Sequence, residues 1–192
     1  MIVVEINRAN CYDKNIIEPF ALSTIAKSFD AIYADYRSPE STDNLDYISP
    51  DGSKAIEITT VIPNNVIGGF VYDKALSKGK NPSPNKIKKA KVDASGNLLS
   101  FYGGSMSEIR RGIIERIEEK NDKVIKRKIK YSYKSVDLCI CIADGSLFDL
   151  YSFQTAFCDL QKYVFDNIFF ITPSYFIRFD KINGFQEYRR II

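Results

Sequence analysis

The chain has 192 residues, of which 45% are hydrophobic and 27% are charged, a balance typical of a globular domain and not of a disordered segment. It contains no histidine, which excludes Ser-His-Asp and Cys-His hydrolases and histidine-ligated zinc, and leaves hydrolytic chemistry to carboxylates, lysines and a metal ion. The net charge of +3 is unevenly divided, because residues 61–135 carry 17 basic and 7 acidic side chains whereas residues 1–60 carry 5 and 10.

The N-terminal part of the chain is predicted to contain a short strand at residues 1–6 and a helix from about Asn15. Apolar residues recur at helical spacing after Asn15, and Pro19 fits the first turn. Glu18 lies near the start of this helix, where an acid also suits the helix dipole. Residues 31–36 are predicted to form the first strand of a sheet.

Residues 44–62 predict a β-hairpin, because two runs of alternating residues flank an Asp-Gly pair at positions 51 and 52. With those two residues as the turn, paired positions sum to 103, so that Asp46 faces Glu57. Side chains alternate along a strand, so Tyr47 and Ile56 are expected on the opposite, apolar face.

This register sets two carboxylates side by side on one face of the hairpin. Opposed residues have Cβ atoms about 4.5–5.5 Å apart, and like charges at that separation destabilise the pair. A cation, a shared proton or a lysine reaching in would offset the repulsion, and two carboxylates with a backbone carbonyl and waters suit Mg²⁺. The alternative is a solvated hairpin whose register differs by one residue, with both acids facing water.

The basic middle of the chain is predicted to contain an insertion at residues 63–104 and a long helix from about Ser107. The helix has an apolar stripe that includes Ile109, Ile113, Ile117, Val124, Ile125 and Ile129. It ends in a basic and aromatic run, whose candidate phosphate contacts are Lys126, Arg127, Lys128, Lys130 and Lys134. Because cations favour a helix C-terminus in any protein, this run is not specific for nucleic acid.

The C-terminal part of the chain alternates between apolar runs and a helical pattern. Buried strands are predicted at residues 136–142 and 167–172, a helix at 147–165 and an edge strand at 175–179. With the preceding elements, this order predicts an α/β fold in which helices flank a mixed central sheet, as a single domain over residues 1–192.

Location is predicted from hydropathy and cysteine usage. No apolar run is long enough for a membrane span, and residues 1–5 lack the regions of a signal peptide. The four cysteines show neither a CxxC pair nor zinc-ligand spacing, and Cys139 and Cys141 are expected to be buried free thiols. We therefore expect a cytoplasmic protein with no membrane partner.

The chain resembles the PD-(D/E)xK nuclease superfamily over about residues 12–142. The restriction-endonuclease-like core of that family is a helix, a three-stranded meander, a crossover helix and a further strand. Asp46 matches the first acid of the motif and Glu57 the second, and Glu18 lies where some members carry another acid. The chain departs from the motif at Thr59, where the family has lysine, and at Leu45, where the family has proline.

The resemblance implies a nuclease that hydrolyses phosphodiester bonds of DNA or RNA with Mg²⁺ or Mn²⁺. Asp46, Glu57 and the Ile58 carbonyl would hold the metal ion, which polarises the phosphate and lowers the pKa of a bound water. Glu18 would hold a second ion or an outer-shell water. Thr59 would orient the attacking water, although it contributes no positive charge.

The missing lysine leaves two alternatives open. In one, Lys54 or the run at residues 126–134 supplies its charge. In the other, the protein has lost catalysis and is a binding protein on the same fold, such as a viral or mobile-element factor, an immunity protein or a nucleic-acid-binding subunit. Nucleic acid is the expected partner, and a protein partner or a homodimer is a further candidate. A nucleotide binder is a third hypothesis, but no Gly-rich phosphate loop opens a helix.

Overall fold

A computed structural model describes residues 13–61, 106–142, 150–172 and 175–188 of the chain. The chain divides into two compact units, one made of residues 1–61 and 113–192 and the other of residues 62–112. The sheet and the candidate site described below belong to the first unit. The strand predicted at residues 1–6 and the insertion predicted at residues 63–104 lie outside the described residues.

The described residues form a six-stranded mixed sheet whose strands neighbour one another in chain order. The strands are β1 (Tyr47–Ile48), β2 (Lys54–Val61), β3 (Ser135–Ile142), β4 (Asn167–Ile171), β5 (Phe176–Asp180) and β6 (Gly184–Tyr188). The three central strands β2, β3 and β4 run parallel, while β1 at one side and β5 and β6 at the other pair antiparallel. The predicted mixed sheet is therefore confirmed.

Helices cover both faces of this sheet. They are α1 (Lys14–Ser28), α2 (Met106–Tyr131) and α3 (Leu150–Ala156), with short 3₁₀ helices at Ala31–Asp35 and Leu160–Lys162. Phe29, which follows α1, packs on Phe169 at a ring-centroid distance of 5.5 Å, and Phe153 of α3 packs on Phe170 at 4.7 Å. Because adjacent residues of a strand point to opposite faces, α1 and α3 lie on opposite faces of the sheet.

The strand predicted at residues 31–36 is wrong, because this segment forms the 3₁₀ helix Ala31–Asp35. The Asp30 carboxylate accepts a hydrogen bond from the Ile32 N–H and starts the helical turn. The segment also turns Tyr33 towards the sheet, where its hydroxyl donates to Asp137 at 2.7 Å. The strand contact at this edge comes instead from Arg37, which forms an isolated antiparallel bridge with Ile48.

The predicted C-terminal elements differ from the structure in two places. The predicted helix at 147–165 is too long, since α3 ends at Ala156. Beyond it the Val164 N–H donates to Asn121 of α2, and the Asp166 N–H donates to the Val136 carbonyl. These N–H groups bond to distant segments and not to carbonyls of the preceding turn, so the helix does not continue. The predicted edge strand corresponds to β5, but β6 pairs outside it.

Two details of the predicted helices are also wrong. Pro19 is the sixth residue of α1 and lies in its second turn, not its first. In α2 the side chains of Ile113, Ile117 and Val124 are fully buried, whereas Ile129 is 76% exposed. The buried residues recur at helical spacing on one side of α2, whereas Ile125 and Ile129 lie about a third of a turn further round the helix. The buried side of α2 faces β2, so the basic side chains on that side point towards β2.

Candidate active site

The hairpin between β1 and β2 has the predicted register. Tyr47 pairs with Ile56 and Ile48 with Ala55, so paired positions sum to 103. The two-residue turn is wrong in detail, because Ser49 N–H donates to the Lys54 carbonyl and Gly52 N–H donates to the Ser49 carbonyl, which makes a four-residue loop. Gly52 has a φ of 70°, a left-handed conformation that glycine adopts without steric cost.

Asp46 lies immediately before β1 and uses its side chain to continue the pairing that β1 ends. Its Oδ2 accepts a hydrogen bond of 2.7 Å from the Ile58 N–H. The register places Leu45 opposite Ile58, so the Asp46 carboxylate replaces the carbonyl that a longer β1 would offer. The side chain is only 12% exposed. A carboxylate is thus fixed at the outer edge of β2.

Glu57 is fully buried on the face of the sheet that carries α3. Its Oε1 accepts hydrogen bonds from Lys120 Nζ, at 2.7 Å, and from Lys123 Nζ. Its Oε2 has no hydrogen-bond partner in the part of the chain that the structure describes. Lys120 and Lys123 are three residues apart on α2, and neither was singled out by the sequence analysis. Lys120 lies within the buried stripe of α2, three residues after Ile117 and four before Val124, and this interruption of the stripe is the sequence signal that points to it.

Glu18 approaches the same region from α1. Lys14 Nζ lies 3.3 Å from Glu18 Oε1 and 3.9 Å from Asp46 Oδ1, so this lysine joins the two carboxylates. The Glu18 side chain is 18% exposed, whereas Lys14 is 76% exposed. The structure thus brings the acid predicted on the first helix close to the hairpin acid Asp46.

The acids of the cluster repel one another. Burial and then the negative charge of Glu57 raise the pKa of Asp46 above its usual value, although the Ile58 N–H lowers it. Burial and then the charge of Asp46 likewise raise the pKa of Glu18, despite Lys14. Three carboxylates are therefore held together by three lysines, and the compensation at Asp46 and Glu18 is incomplete.

A cleft of about 250 Å³ opens beside this cluster. Its polar lining comes from α1, β2 and α2 and includes Lys14, Glu18, Thr59, Arg116 and Lys120. Asp46 and Glu57 are not among its lining residues. Lys120 belongs to both sets, because it lines the cleft and contacts Glu57. Three cationic side chains and one carboxylate thus line a cleft that meets the carboxylate cluster at Glu18 and Lys120.

The described residues contain no group of three or more Asp, Glu, Cys or His side chains arranged to hold a metal ion. The donor set for the predicted metal is therefore the pair Asp46 and Glu57 with the Ile58 carbonyl and solvent. Two observations fit a hard cation at this pair: the orphaned Oε2 of the buried Glu57, and the raised pKa of Asp46. Both would be relieved by positive charge and an electron-pair acceptor.

The candidate phosphate contacts at the end of α2 lie apart from the carboxylate cluster. Arg127 and Lys130 contact Asp43, and Lys128 Nζ lies 3.6 Å from Asp166 Oδ2. Lys126 and Lys134 are exposed. These five residues therefore do not converge on Asp46 and Glu57. Arg127 does share one side of α2 with Lys120 and Lys123.

Comparisons with known proteins do not assign this arrangement. No protein-family model, no curated protein and no solved structure matches the chain. In the part of the chain that the structure describes, no helix is both long enough and apolar enough to cross a membrane. The function must therefore be inferred from the chemistry of the site.

Proposed function

We propose that the protein is a Mg²⁺- or Mn²⁺-dependent nuclease with a restriction-endonuclease-like core, which hydrolyses phosphodiester bonds of DNA or RNA. The observation that carries the proposal is the pair Asp46 and Glu57, which face each other in the hairpin register, with the charge of Asp46 incompletely compensated and with Oε2 of Glu57 unpartnered among the described residues. The order of elements supports it: α1, the Arg37 bridge, β1, β2, α2 and β3 follow the core order of the PD-(D/E)xK family.

Asp46, Glu57 and the Ile58 carbonyl are the groups that would hold the metal ion. A divalent ion bound by them would polarise the scissile phosphate and lower the pKa of a water molecule. The unpartnered Oε2 of Glu57 is the free acceptor that such binding requires. Glu18, which is joined to Asp46 through Lys14, would hold an outer-shell water or a second ion.

Lys120 takes the place of the lysine that the family motif has at position 59. It donates to Glu57 at 2.7 Å and also lines the cleft, so its ammonium group can reach both the carboxylate pair and a bound phosphate. Lys54, the alternative considered from the sequence, is exposed at the start of β2. Thr59 also lines the cleft, where its hydroxyl can orient a water.

Lys14 and Arg116 would hold the phosphates next to the scissile bond. They line the cleft from α1 and α2 respectively, and an Arg guanidinium suits bidentate contact with a phosphate. The cytoplasm is the proposed compartment, because Cys139 and Cys141 are buried free thiols.

The second candidate is a nucleic-acid-binding protein without turnover. Two lysines already contact Oε1 of Glu57, and the cluster has as many lysines as carboxylates. In that case the lysines are permanent counter-ions and no metal ion enters. The cleft and the basic side of α2 would still bind phosphates.

Cleavage of end-labelled single- and double-stranded DNA and RNA, with Mg²⁺, Mn²⁺ or EDTA, tests the proposal. We expect metal-dependent cleavage that Glu57→Gln abolishes and that Glu40→Gln, a matched change of an exposed acid, leaves intact. Lys120→Met should also abolish it, and adding Thr59→Lys to Lys120→Met should restore part of the rate. Binding without cleavage under all metal conditions would favour the second candidate.

A further inference from the structure

Four donor groups at the end of α2 converge on one residue of the loop before β1. Arg127 Nε donates to the Asp43 carbonyl at 2.9 Å, and an Arg127 terminal nitrogen contacts Asp43 Oδ1 at 3.3 Å. Lys130 Nζ donates to Asp43 Oδ2 at 2.6 Å, and the Tyr131 hydroxyl reaches the Asp43 carbonyl at 3.4 Å. The carboxylate of Asp43 thus accepts from Arg127 and Lys130, and its backbone carbonyl accepts from Arg127 and Tyr131.

Arg127 is better fixed than the carboxylate that it binds, whereas Lys130, whose side chain is 58% exposed, is about as exposed as Asp43. The Arg127 side chain is 18% exposed, whereas the Asp43 side chain is 63% exposed. One terminal nitrogen of Arg127, Nη1, is buried and has no hydrogen-bond partner among the described residues. The Asp43 carboxylate can therefore leave towards solvent, while the guanidinium stays in place with a spare donor.

The loop does not depend on the Asp43 carboxylate for its position. The Tyr133 hydroxyl donates to Asn44 Oδ1 at 2.6 Å, and Arg127 Nε holds the Asp43 backbone carbonyl. Backbone carbonyls at the end of α2 also have hydrogen-bond partners, because the Ser132 and Tyr133 N–H groups donate to the carbonyls of Ile129 and Lys128. The side chain of Asp43 can be replaced without removing these anchors.

We propose that Arg127 and Lys130 form a phosphate-binding subsite, which the Asp43 carboxylate fills until a phosphodiester group of a nucleic acid displaces it. The proposal rests on the proposed function, because nucleic acid is the ligand there. A guanidinium nitrogen and an ammonium group are both donors and suit phosphate oxygens. Lys130 and then Arg127 hold the pKa of Asp43 below its usual value, so the competing group is an anion.

The position of the subsite suits a nucleic acid that also enters the cleft. Arg127 follows Lys123 by four residues on α2, which is about 6 Å along a helix axis. Lys123 contacts Glu57 and Arg116 lines the cleft, on the same side of α2. A single phosphate backbone that follows this side of the helix would meet the cleft and then the subsite.

Fluorescence anisotropy of a labelled single-stranded DNA, measured in EDTA at low salt, tests the subsite without any catalytic step. We expect Asp43→Asn to bind DNA about two- to fivefold more tightly than the wild type, because it removes the competing charge of an exposed ion pair. Lys130→Gln should weaken binding, and Asp43→Asn combined with Arg127→Gln should lose the gain.

The matched control is Asp159→Asn, which removes a carboxylate of similar exposure that pairs with Lys162. It makes the same change in net charge outside the subsite. A gain from Asp43→Asn no larger than that of the control would overturn the proposal. So would an equal gain in affinity for polyglutamate, because the subsite would then recognise charge and not phosphate.

The outcomes separate the subsite from the enzyme. A specific gain in DNA affinity for Asp43→Asn, with no cleavage under any metal condition, supports the subsite and contradicts the nuclease proposal. Metal-dependent cleavage without that gain contradicts the subsite and supports the nuclease proposal. Absence of DNA binding by every variant in EDTA overturns the subsite, whatever the cleavage assay gives.

Discussion

Two buried acids lie next to each other on the β2–β3 pair and face opposite sides of the sheet. Asp137 is opposite Ile56, the residue before Glu57. Asp137 Oδ2 accepts from the Tyr33 hydroxyl at 2.7 Å, and its Oδ1 accepts from the backbone and side chain of Asn167 at 3.0 and 2.7 Å. Both of its oxygens are therefore occupied by neutral, fixed donors. Glu57, in contrast, has one oxygen that accepts from two lysines and one oxygen without a partner among the described residues.

The difference separates an acid whose two oxygens both hold the fold together from an acid that the proposed function would use. The Asp137 network continues through Asn167 to Arg178, which lies 4.5 Å over the Phe29 ring. Every group in that chain joins two elements of the fold. The lysines that contact Glu57 are 13% and 30% exposed and come from a single helix, so they can be released without breaking the sheet.

The largest effect is expected from Asp137→Ala. Its removal leaves the Tyr33 hydroxyl and the Asn167 donors buried without acceptors, which costs about 3 kcal/mol of unfolding free energy. Urea denaturation measures this loss, with the exposed Asp35→Ala as the control. A loss below that of the control would show that the network does not hold the fold.

A smaller loss is expected from Glu57→Gln. It leaves two lysines beside a neutral amide, but both can move towards solvent, so we expect a loss of about 2 kcal/mol. Replacing Glu57 with Leu together with Lys120→Met and Lys123→Met should recover most of it, because a packed apolar group replaces a buried ion pair. Urea denaturation of both variants checks this, and failure of the triple variant to recover would contradict it.

A divalent ion should stabilise the folded protein through Glu57 and not through Asp137. At ten times its dissociation constant, Mn²⁺ should add about 1.4 kcal/mol to the unfolding free energy. The gain should disappear in Glu57→Gln and persist in Asp137→Asn, as measured by thermal unfolding with and without Mn²⁺. An equal gain in both variants would mean that the ion binds elsewhere.

The smallest effect concerns pH. Burial and the charge of Glu57 raise the pKa of Asp46 in the folded state, so its stabilising contribution is present below its unfolded pKa of about 3.9 and is lost as pH rises through the folded pKa. The stability of the wild type relative to Asp46→Asn should therefore fall from about pH 4 to pH 7. Urea denaturation at several pH values measures it, and a relative stability that rises over that range would refute it.

Local pattern was enough to predict much of this molecule. An Asp-Gly pair between alternating residues predicted the register of β1 and β2, because a slip by one residue would bury the wrong face. The apolar run of β3 predicted a central strand. Both signals lie within a few residues of the element that they specify.

The rest depends on contacts between distant segments. Lys120 lies 63 residues from Glu57 in the chain, and its contact with Glu57 depends on which side of α2 packs against the sheet. Residues 31–35 carry an apolar pattern that suits a strand equally well, and the bond from Tyr33 to Asp137 spans 104 residues. The half-buried residues of β6 lack the alternation that marks a strand.

The shortness of β1 has a consequence for how the protein behaves in a crowded cell. A strand edge with free N–H and carbonyl groups is a template on which other chains add strands and aggregate. Among the described residues, β1 pairs only with Ala55 and Ile56 of β2, so no described strand pairs with the later residues of β2 on that side. The Asp46 carboxylate takes the Ile58 N–H and brings a charge to that edge. The side chain that would bind a metal ion thus also hinders the addition of strands from other chains.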